Sequence, residues 1–192
     1  MRSRPRSMER QPSYDGPTRP FGDRLLGAAA FDVSTYEELE ADTTATPQAA
    51  LVVALVAISA AIGASQAGPA EVLGRLVTEL LGWLLWSGIT YLIGDKLLGG
   101  TATWGELQRT IGFAQAPGLL SALRAVPALS AAVEVMVALW KLFAVIVAIR
   151  QALDFGTGKA LATAILGFVA YVGLALLITM LAGGSLPAGI ST

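Results

Sequence analysis

Four polar side chains interrupt apolar stretches of this sequence, and they are the residues whose types could perform chemistry. Glu79, Gln115, Glu134 and Lys141 each lie within or beside a long run of apolar residues. Ionisable groups at membrane depth are costly, so they pair with one another or line a path for ions or protons. The chemistry open to these side chains is therefore ion binding, proton relay or a polar contact between helices.

Missing residue types exclude most other mechanisms. The chain contains no Cys, no His and no Asn. It therefore lacks a thiol nucleophile, disulfides and the usual ligand sets of haem, catalytic zinc and iron–sulfur clusters. A net charge of −1 gives no field that would attract nucleic acid. We expect no catalytic residue, no metal, no cofactor and no nucleic-acid partner, and hence a protein that is not an enzyme.

The composition is that of an integral membrane protein. Of 192 residues, 54% are hydrophobic and only 14% are charged, and the mean hydropathy is +0.63. A soluble domain of this size needs more charge to cover its surface. Residues 1–46 hold six arginines and eight acidic residues, more acids than all later residues together. The sequence thus predicts a polar N-terminal tail followed by a membrane domain in contact with the lipid bilayer.

The polar tail divides into two parts. Residues 1–23 combine arginines with Ser, Pro and Gly, which predicts a disordered basic tail. Residues 24–46 predict two short helices, an interfacial one over Arg24–Phe31 and an acidic one that follows a capping box from Ser34 to Glu37. We favour a location at the membrane edge for them; docking to a partner is the alternative.

Residues 47–185 are predicted to form an all-α bundle of five transmembrane helices, followed by a short tail over 186–192. A stretch of about 20 apolar residues spans the ~30 Å hydrocarbon core. We name the five predicted stretches segments one to five, at about 48–67, 72–98, 104–126, 131–149 and 160–182.

Segment three is the most polar of the five and is broken by proline. Pro117 removes a backbone hydrogen bond and clashes with the carbonyl group of Phe113, so the spacing predicts a kinked helix. Such a break is sometimes a substrate site, although it more often only shapes a helix. Small residues four apart predict a surface for close helix packing, formed by Ala114, Gly118 and Ala122.

Lys141 lies near the middle of segment four and requires a polar partner there. Glu134 precedes it by seven residues, which places the two side chains ~10 Å apart along a helix. We therefore expect Glu79 or Gln115, across a helix interface, to be the partner of Lys141. An ion or proton relay, a buried clasp and a contact to another subunit all remain open.

Positive charges near the segment ends predict the topology. Lys96 and Arg109 flank the connector before segment three, Arg124 is the only basic residue near the next connector, and Arg150 and Lys159 flank the connector before segment five. These charges alternate between the two sides as the positive-inside rule requires for five crossings. We expect a cytoplasmic N-terminus and an external C-terminus. The polar residues of these connectors complete the candidate set: Arg109, Arg150, Asp154 and Lys159.

Three short motifs of the sequence are characteristic of a family: GFAQAP at 112–117, AIRQA at 148–152 followed by GKA at 158–160, and FDVSTYEE at 31–38. They resemble motifs of the YIP family of five-helix membrane proteins, named for Ypt/Rab-interacting proteins, and the third is similar to bacterial members. The resemblance covers about residues 30–185. It implies five helices behind a cytoplasmic tail and, for eukaryotic members, a role in vesicle trafficking through small GTPases. The high Ala and Leu content fits a bacterial plasma membrane.

Two functions from different classes fit these observations. The first is a non-enzymatic scaffold, accessory subunit or membrane organiser that acts through helix–helix association, as a homo-oligomer or with other membrane subunits. The second is a small transporter or channel that uses a polar site around Pro117, Gln115, Glu79 and Lys141. The second function predicts a polar cavity near Gln115.

Overall fold

The computed structural model describes residues 18–64 and 68–181, which are almost entirely helical. The predictions for residues 1–17 and for the tail over 186–192 lie outside the described residues. The described part forms seven α-helices: α1 (Phe21–Ala29), α2 (Val33–Ala41), α3 (Thr46–Gly63), α4 (Pro69–Tyr91), α5 (Trp104–Phe113), α6 (Ser130–Ala152) and α7 (Thr157–Leu181). Helix α4 continues into a π-helical stretch over Leu92–Leu97, and 3₁₀ turns cover Thr43–Ala45 and Pro127–Leu129.

Four helical stretches of the described chain are long and apolar enough to cross a membrane. They are Thr43–Gly63, Pro69–Leu97, Pro127–Ala152 and Thr157–Ile178, and they correspond to segments one, two, four and five. The all-α fold is thus confirmed, as are four apolar helices of membrane-spanning length. Segment three is not among these four.

Segment three consists of two helical pieces of different geometry. The α-helix ends at Phe113, and a 3₁₀ helix runs from Ala116 to Ala125 with Pro117 in its first turn. This differs from the predicted single helix with a kink. The reason is local. The last α-type bond of the helix runs from the Ala114 amide to Thr110, the Gln115 amide bonds to Gly112 with 3₁₀ spacing, and Pro117 has no N–H with which the α-helix could continue. A capping box begins the segment, with Thr103 and Glu106 bonded reciprocally.

Both pieces of segment three pack against α3 and run parallel to it. Residues further along α3 meet residues further along segment three, from Ala49 opposite Gly112 to Val56 opposite Gly118 and Gly63 opposite Ser121. The contact therefore extends over 15 residues of α3, from Ala49 to Gly63, which is about 21 Å of helix.

Two hydrogen-bonded groups mark the opposite ends of the bundle. At one end, Thr101 Oγ1 donates a 2.8 Å hydrogen bond to Asp154, so the connectors before segments three and five lie side by side. At the other end, Arg124 forms a 3.3 Å ion pair with Glu134, close to the start of α6. The Ser59 hydroxyl group on α3 accepts a hydrogen bond from the Ala122 amide near that same end.

Helices α1 and α2 are part of the core and do not merely rest on its edge. Ala28 and Tyr36 are fully buried, and Tyr36 Oη donates to the carbonyl oxygen of Ala28. Trp140 Nε1 of α6 donates a 2.7 Å hydrogen bond to the carbonyl oxygen of Ala29. Within the stretch predicted to be an interfacial helix, the apolar side chains of Leu26 and Phe31 are exposed, whereas Leu25 is half-buried.

The caps of α1 and α2 differ from the sequence-based expectation. Helix α1 begins at Phe21, within the stretch predicted to be disordered. The predicted capping box at Ser34 was wrong: Asp32 is the N-cap of α2, and its carboxylate accepts from the Ser34 amide at 3.2 Å. Hydrogen bonds from Thr35 and Arg19 lower the pKa of Asp32 to about 2, so the cap is ionised at neutral pH.

Candidate functional site

A partly open cavity of about 200 Å³ lies between α3, α4, segment three and α7. Glu79 and Gln115, two of the predicted site residues, both line it. Thr78 and Glu79 are exposed at its rim, and Trp83 is buried at its floor. The complete lining is Val53, Val56, Thr78, Glu79, Gly82, Trp83, Trp86, Ile111, Gln115 and Tyr171.

Helical spacing on α4 supplies one wall of this cavity. Glu79, Gly82, Trp83 and Trp86 follow one another at intervals of three, one and three residues, so they share one face of the helix. A Cβ atom at position 82 would lie 3.0 Å from the hydroxyl oxygen of Tyr171, so the glycine lets that hydroxyl group approach α4. Gln115 lies in the turn between the two pieces of segment three, where the chain changes helical geometry.

Two tryptophans of this wall have different hydrogen bonding. Trp83 Nε1 donates a 2.9 Å hydrogen bond to the carbonyl oxygen of Gln108 and so ties α4 to α5. Trp86 Nε1 is buried, and no hydrogen-bond acceptor lies near it in the described part of the chain. The ring of Trp86 lies edge-on to Tyr171, with 5.6 Å between the ring centroids. A buried N–H group without an acceptor is uncommon and often marks a ligand position.

Lys141 is a half-buried residue of α6 on which Glu79 acts electrostatically. The two side chains are not in direct contact, because no ion pair within 4.0 Å joins Lys141 to any residue of the described ranges. Glu134 is bound instead by Arg124 and is mostly exposed. No ion pair between Lys141 and its predicted partner Glu79 is therefore formed in the described residues.

The small residues of segment three all adjoin α3 or the core. Ala114 is fully buried. A Cβ atom at position 118 would lie 2.6 Å from Cγ1 of Val56, so any residue larger than glycine would force the helices apart. The Ala122 amide donates to Ser59 Oγ at 3.2 Å. Pro117, next to Gly118, is also buried.

The remaining predicted residues lie at the other end of the bundle from Arg124. Arg109 is buried and donates to the backbone carbonyl oxygens of Leu39, at 2.8 Å, and Glu40. Lys159 Nζ is exposed, donates to the carbonyl oxygen of Leu98 at 3.3 Å and lies 5.1 Å from the centroid of the Phe155 ring. Arg150 is exposed. This set is therefore structural in its contacts and does not reach the cavity.

Glu40 has the most strongly shifted carboxyl group at this end of the bundle. Its burial, together with the neighbouring carboxylates of Glu106 and Asp154, raises the pKa of Glu40 to about 7. The Arg109 guanidinium opposes that shift only in part. Glu40 is therefore close to half-protonated at neutral pH.

Sequence reasoning missed a buried charge network between α1 and α2. Arg24 is 1% exposed, and its Nε donates to Glu38 at 2.9 Å while its Nη2 reaches Asp42. Burial alone would raise the pKa of Asp42, but hydrogen bonds from Thr44 and Arg24 lower it below its usual range. The spacing of Glu38 and Asp42, four apart on one helix face, was the available signal, but the sequence did not indicate which cation would meet them.

Metal binding has no candidate among residues 18–64 and 68–181, which contain no group of three or more acidic side chains arranged to hold an ion.

The apolar helices and a family match define the class of this protein. Four apolar helices of spanning length identify an integral membrane protein. A family model, the Yip1 domain, matches residues 33–180, so the chain belongs to the Yip1 domain family, and the resemblance to YIP proteins is confirmed. The chain matches no curated protein and no solved structure.

Proposed function

We propose that this protein is a non-enzymatic membrane protein of a bacterial plasma membrane that acts by association, as a scaffold, accessory subunit or membrane organiser. The observation that carries this proposal is the buried tie of Arg24 and Arg109 to α2. It fixes the short N-terminal helices to the membrane domain as one rigid end of the bundle. A rigid surface loses less conformational entropy when a partner binds than a flexible tail does.

The rigid end presents a mixed apolar and polar surface that we call the docking face. It consists of the exposed residues Phe31, Val33, Ser34 and Glu37 at the start of α2. Phe31 adopts a left-handed backbone conformation with φ of 62°, which turns the chain sharply between the two helices. The exposed aromatic ring of Phe31 is the feature of this face that is typical of a partner interface, where aromatic residues are enriched.

We also propose that segment three crosses the membrane, which gives five crossings with a cytoplasmic N-terminus and an external C-terminus. Its parallel course along α3 supports this, as does its length. Ten α-helical residues and ten 3₁₀ residues extend over about 35 Å, more than the ~30 Å hydrocarbon core. The alternation of Lys and Arg at the segment ends supports the orientation.

Purification in a mild detergent tests the association. The wild-type protein should elute as a homo-oligomer or with a stable membrane partner. Val33→Asp places a charge in the docking face and should weaken the complex about tenfold or more, since burying an unpaired charge costs well over 1.4 kcal/mol. Thr43→Asp adds the same charge at an exposed site nearby and is the matched control. A monomer without any partner would contradict the proposal.

Transport is the second candidate function, because Glu79 and Gln115 line one cavity and the charge of Glu79 acts on Lys141 of α6. If the protein moves a solute, Lys141→Met should abolish flux into liposomes while the protein keeps its thermal stability. Lys159→Met, which changes an exposed lysine outside the cavity, should keep its flux. A Lys141→Met protein that changes only in stability would reduce the role of Lys141 to a packing contact.

A further inference from the structure

The cavity between α3, α4, segment three and α7 has a charge that selects its ligand. Glu79 is the one charged residue among the ten that line it. No cation lies within 4.0 Å of its carboxylate in residues 18–64 and 68–181. Glu79 is exposed at the rim of the cavity, so its carboxylate is accessible to a cation that enters. The cavity is therefore suited to a positively charged group.

Aromatic rings narrow the choice of cation. Three aromatic side chains line the cavity. Trp83 and Trp86 lie on α4, which also carries Glu79, and Tyr171 lies on α7. Ring faces attract organic ammonium groups by cation–π interaction, and they do so most strongly where water is excluded. A small hydrated metal ion gains little from such walls, since it prefers several oxygen ligands.

The buried Nε1 of Trp86 and the volume of the cavity restrict the rest of the ligand. Trp86 Nε1 is a buried donor without an acceptor, and an ammonium group cannot accept its hydrogen bond. A ligand oxygen would satisfy it. The volume of about 200 Å³ corresponds to about seven water-sized groups at ~30 Å³ each. These requirements describe a short amine that also carries an oxygen atom.

We propose that the cavity binds an ammonium group that is linked to an oxygen acceptor, as in ethanolamine or choline, with Glu79 as its counter-ion and the rings of Trp83, Trp86 and Tyr171 as its walls. The ligand is either a free amino alcohol or the headgroup of a phospholipid. The inference rests on the second candidate function only in using the same cavity; it requires binding and does not require transport.

Binding of labelled choline and ethanolamine to the purified protein in phosphatidylglycerol nanodiscs tests the proposal. Wild-type protein should bind at least one of them, and Glu79→Gln should lower the affinity at least tenfold. Glu134→Gln removes a carboxylate of α6 outside the cavity and should bind like wild type. Trp86→Phe keeps a ring and loses the N–H group, so it should weaken choline binding several-fold but leave tetramethylammonium binding unchanged.

Lipid exchange distinguishes the two sources of the ligand. If the headgroup is the occupant, phosphatidylethanolamine in the nanodisc should compete with both labelled amines, and it should co-purify with wild type more than with Glu79→Gln. If a free amine is the ligand, phosphatidylethanolamine should not compete. Either result supports the ammonium site.

Absence of binding for both amines, without enrichment of phosphatidylethanolamine, would overturn the inference, as would equal binding by wild type and Glu79→Gln. If the Glu79→Gln protein does not fold, the Trp86→Phe protein tests the inference in its place. Equal effects of this variant on choline binding and on tetramethylammonium binding would then overturn it. Binding without flux would keep the site and reject transport. Flux that depends on Lys141, without ammonium binding, would keep transport and reject the site.

Discussion

Replacing Arg24 by methionine should lower the free energy of unfolding by about 3–5 kcal/mol, the usual cost of leaving a buried charge without its partner. Arg24 is 1% exposed, and Glu38, to which it binds, is fully buried and of its ion pairs in the described residues would keep the longer one to Arg19, at 3.4 Å. Methionine preserves much of the side-chain volume but removes the hydrogen bonds to Glu38, Asp42 and Gln48. Unfolding by SDS or by heat in a mild detergent measures the loss.

Two further variants separate the lost pairing from lost packing. Arg150→Met changes an exposed arginine of α6 and should cost less than about 1 kcal/mol. Arg24→Met combined with Glu38→Met removes both members of the most buried pair, and it should recover part of the stability. The recovery should be incomplete, because Asp42 loses Arg24 and Arg19 loses Glu38. The role of Arg24 would be refuted if the Arg24→Met protein were as stable as the Arg150→Met protein.

The effect of Arg24→Met should also reach the docking face. Helix α2 is held by Arg24 from one side and by Arg109 from the other. Loss of the first tie leaves α2 attached through Arg109 and through Arg19, which binds its N-terminal end, so its exposed side chains lose part of their fixed geometry. A protein that stays folded but loses its partner would connect the charge network to association.

The apolar helices could be predicted from the sequence because their signal is local. A run of about 20 apolar residues is sufficient to span a membrane whatever surrounds it. The meeting of Glu79 and Gln115 also followed from a local rule, since polar groups at membrane depth must face protein or water. The presence of Tyr171 and of the unpaired Trp86 in the cavity could not be predicted by such a rule, because it depends on the rotation of α4 and α7 about their axes.

The position of α1 and α2 could not be predicted because it depends on long-range pairs. An amphipathic helix packs equally well on lipid or on protein, and the sequence of α1 fits both. The choice is made by Arg24, Trp140 and Tyr36, whose partners lie between 8 and 111 residues away. Burial of an arginine is rare enough that a surface location was the reasonable expectation.

Single cysteines on either side of segment three should react with a membrane-impermeant maleimide from opposite sides of the membrane. The chain contains no cysteine, so each variant carries one thiol and the parent protein is an unlabelled control. Thr101→Cys and Ala128→Cys alter exposed positions before and after the segment. Gly156→Cys, exposed in the connector before α7, should be labelled from the same side as Thr101→Cys.

A re-entrant segment three would reverse two of these results. Ala128→Cys would then react from the side of Thr101→Cys, and Gly156→Cys from the opposite side, because α6 would cross in the other direction. That arrangement would separate Thr101 from Asp154 by the thickness of the membrane, although 2.8 Å separates their side-chain oxygens. Labelling of Thr101→Cys and Gly156→Cys from one side, and of Ala128→Cys from the other, is therefore the outcome that agrees with this hydrogen bond.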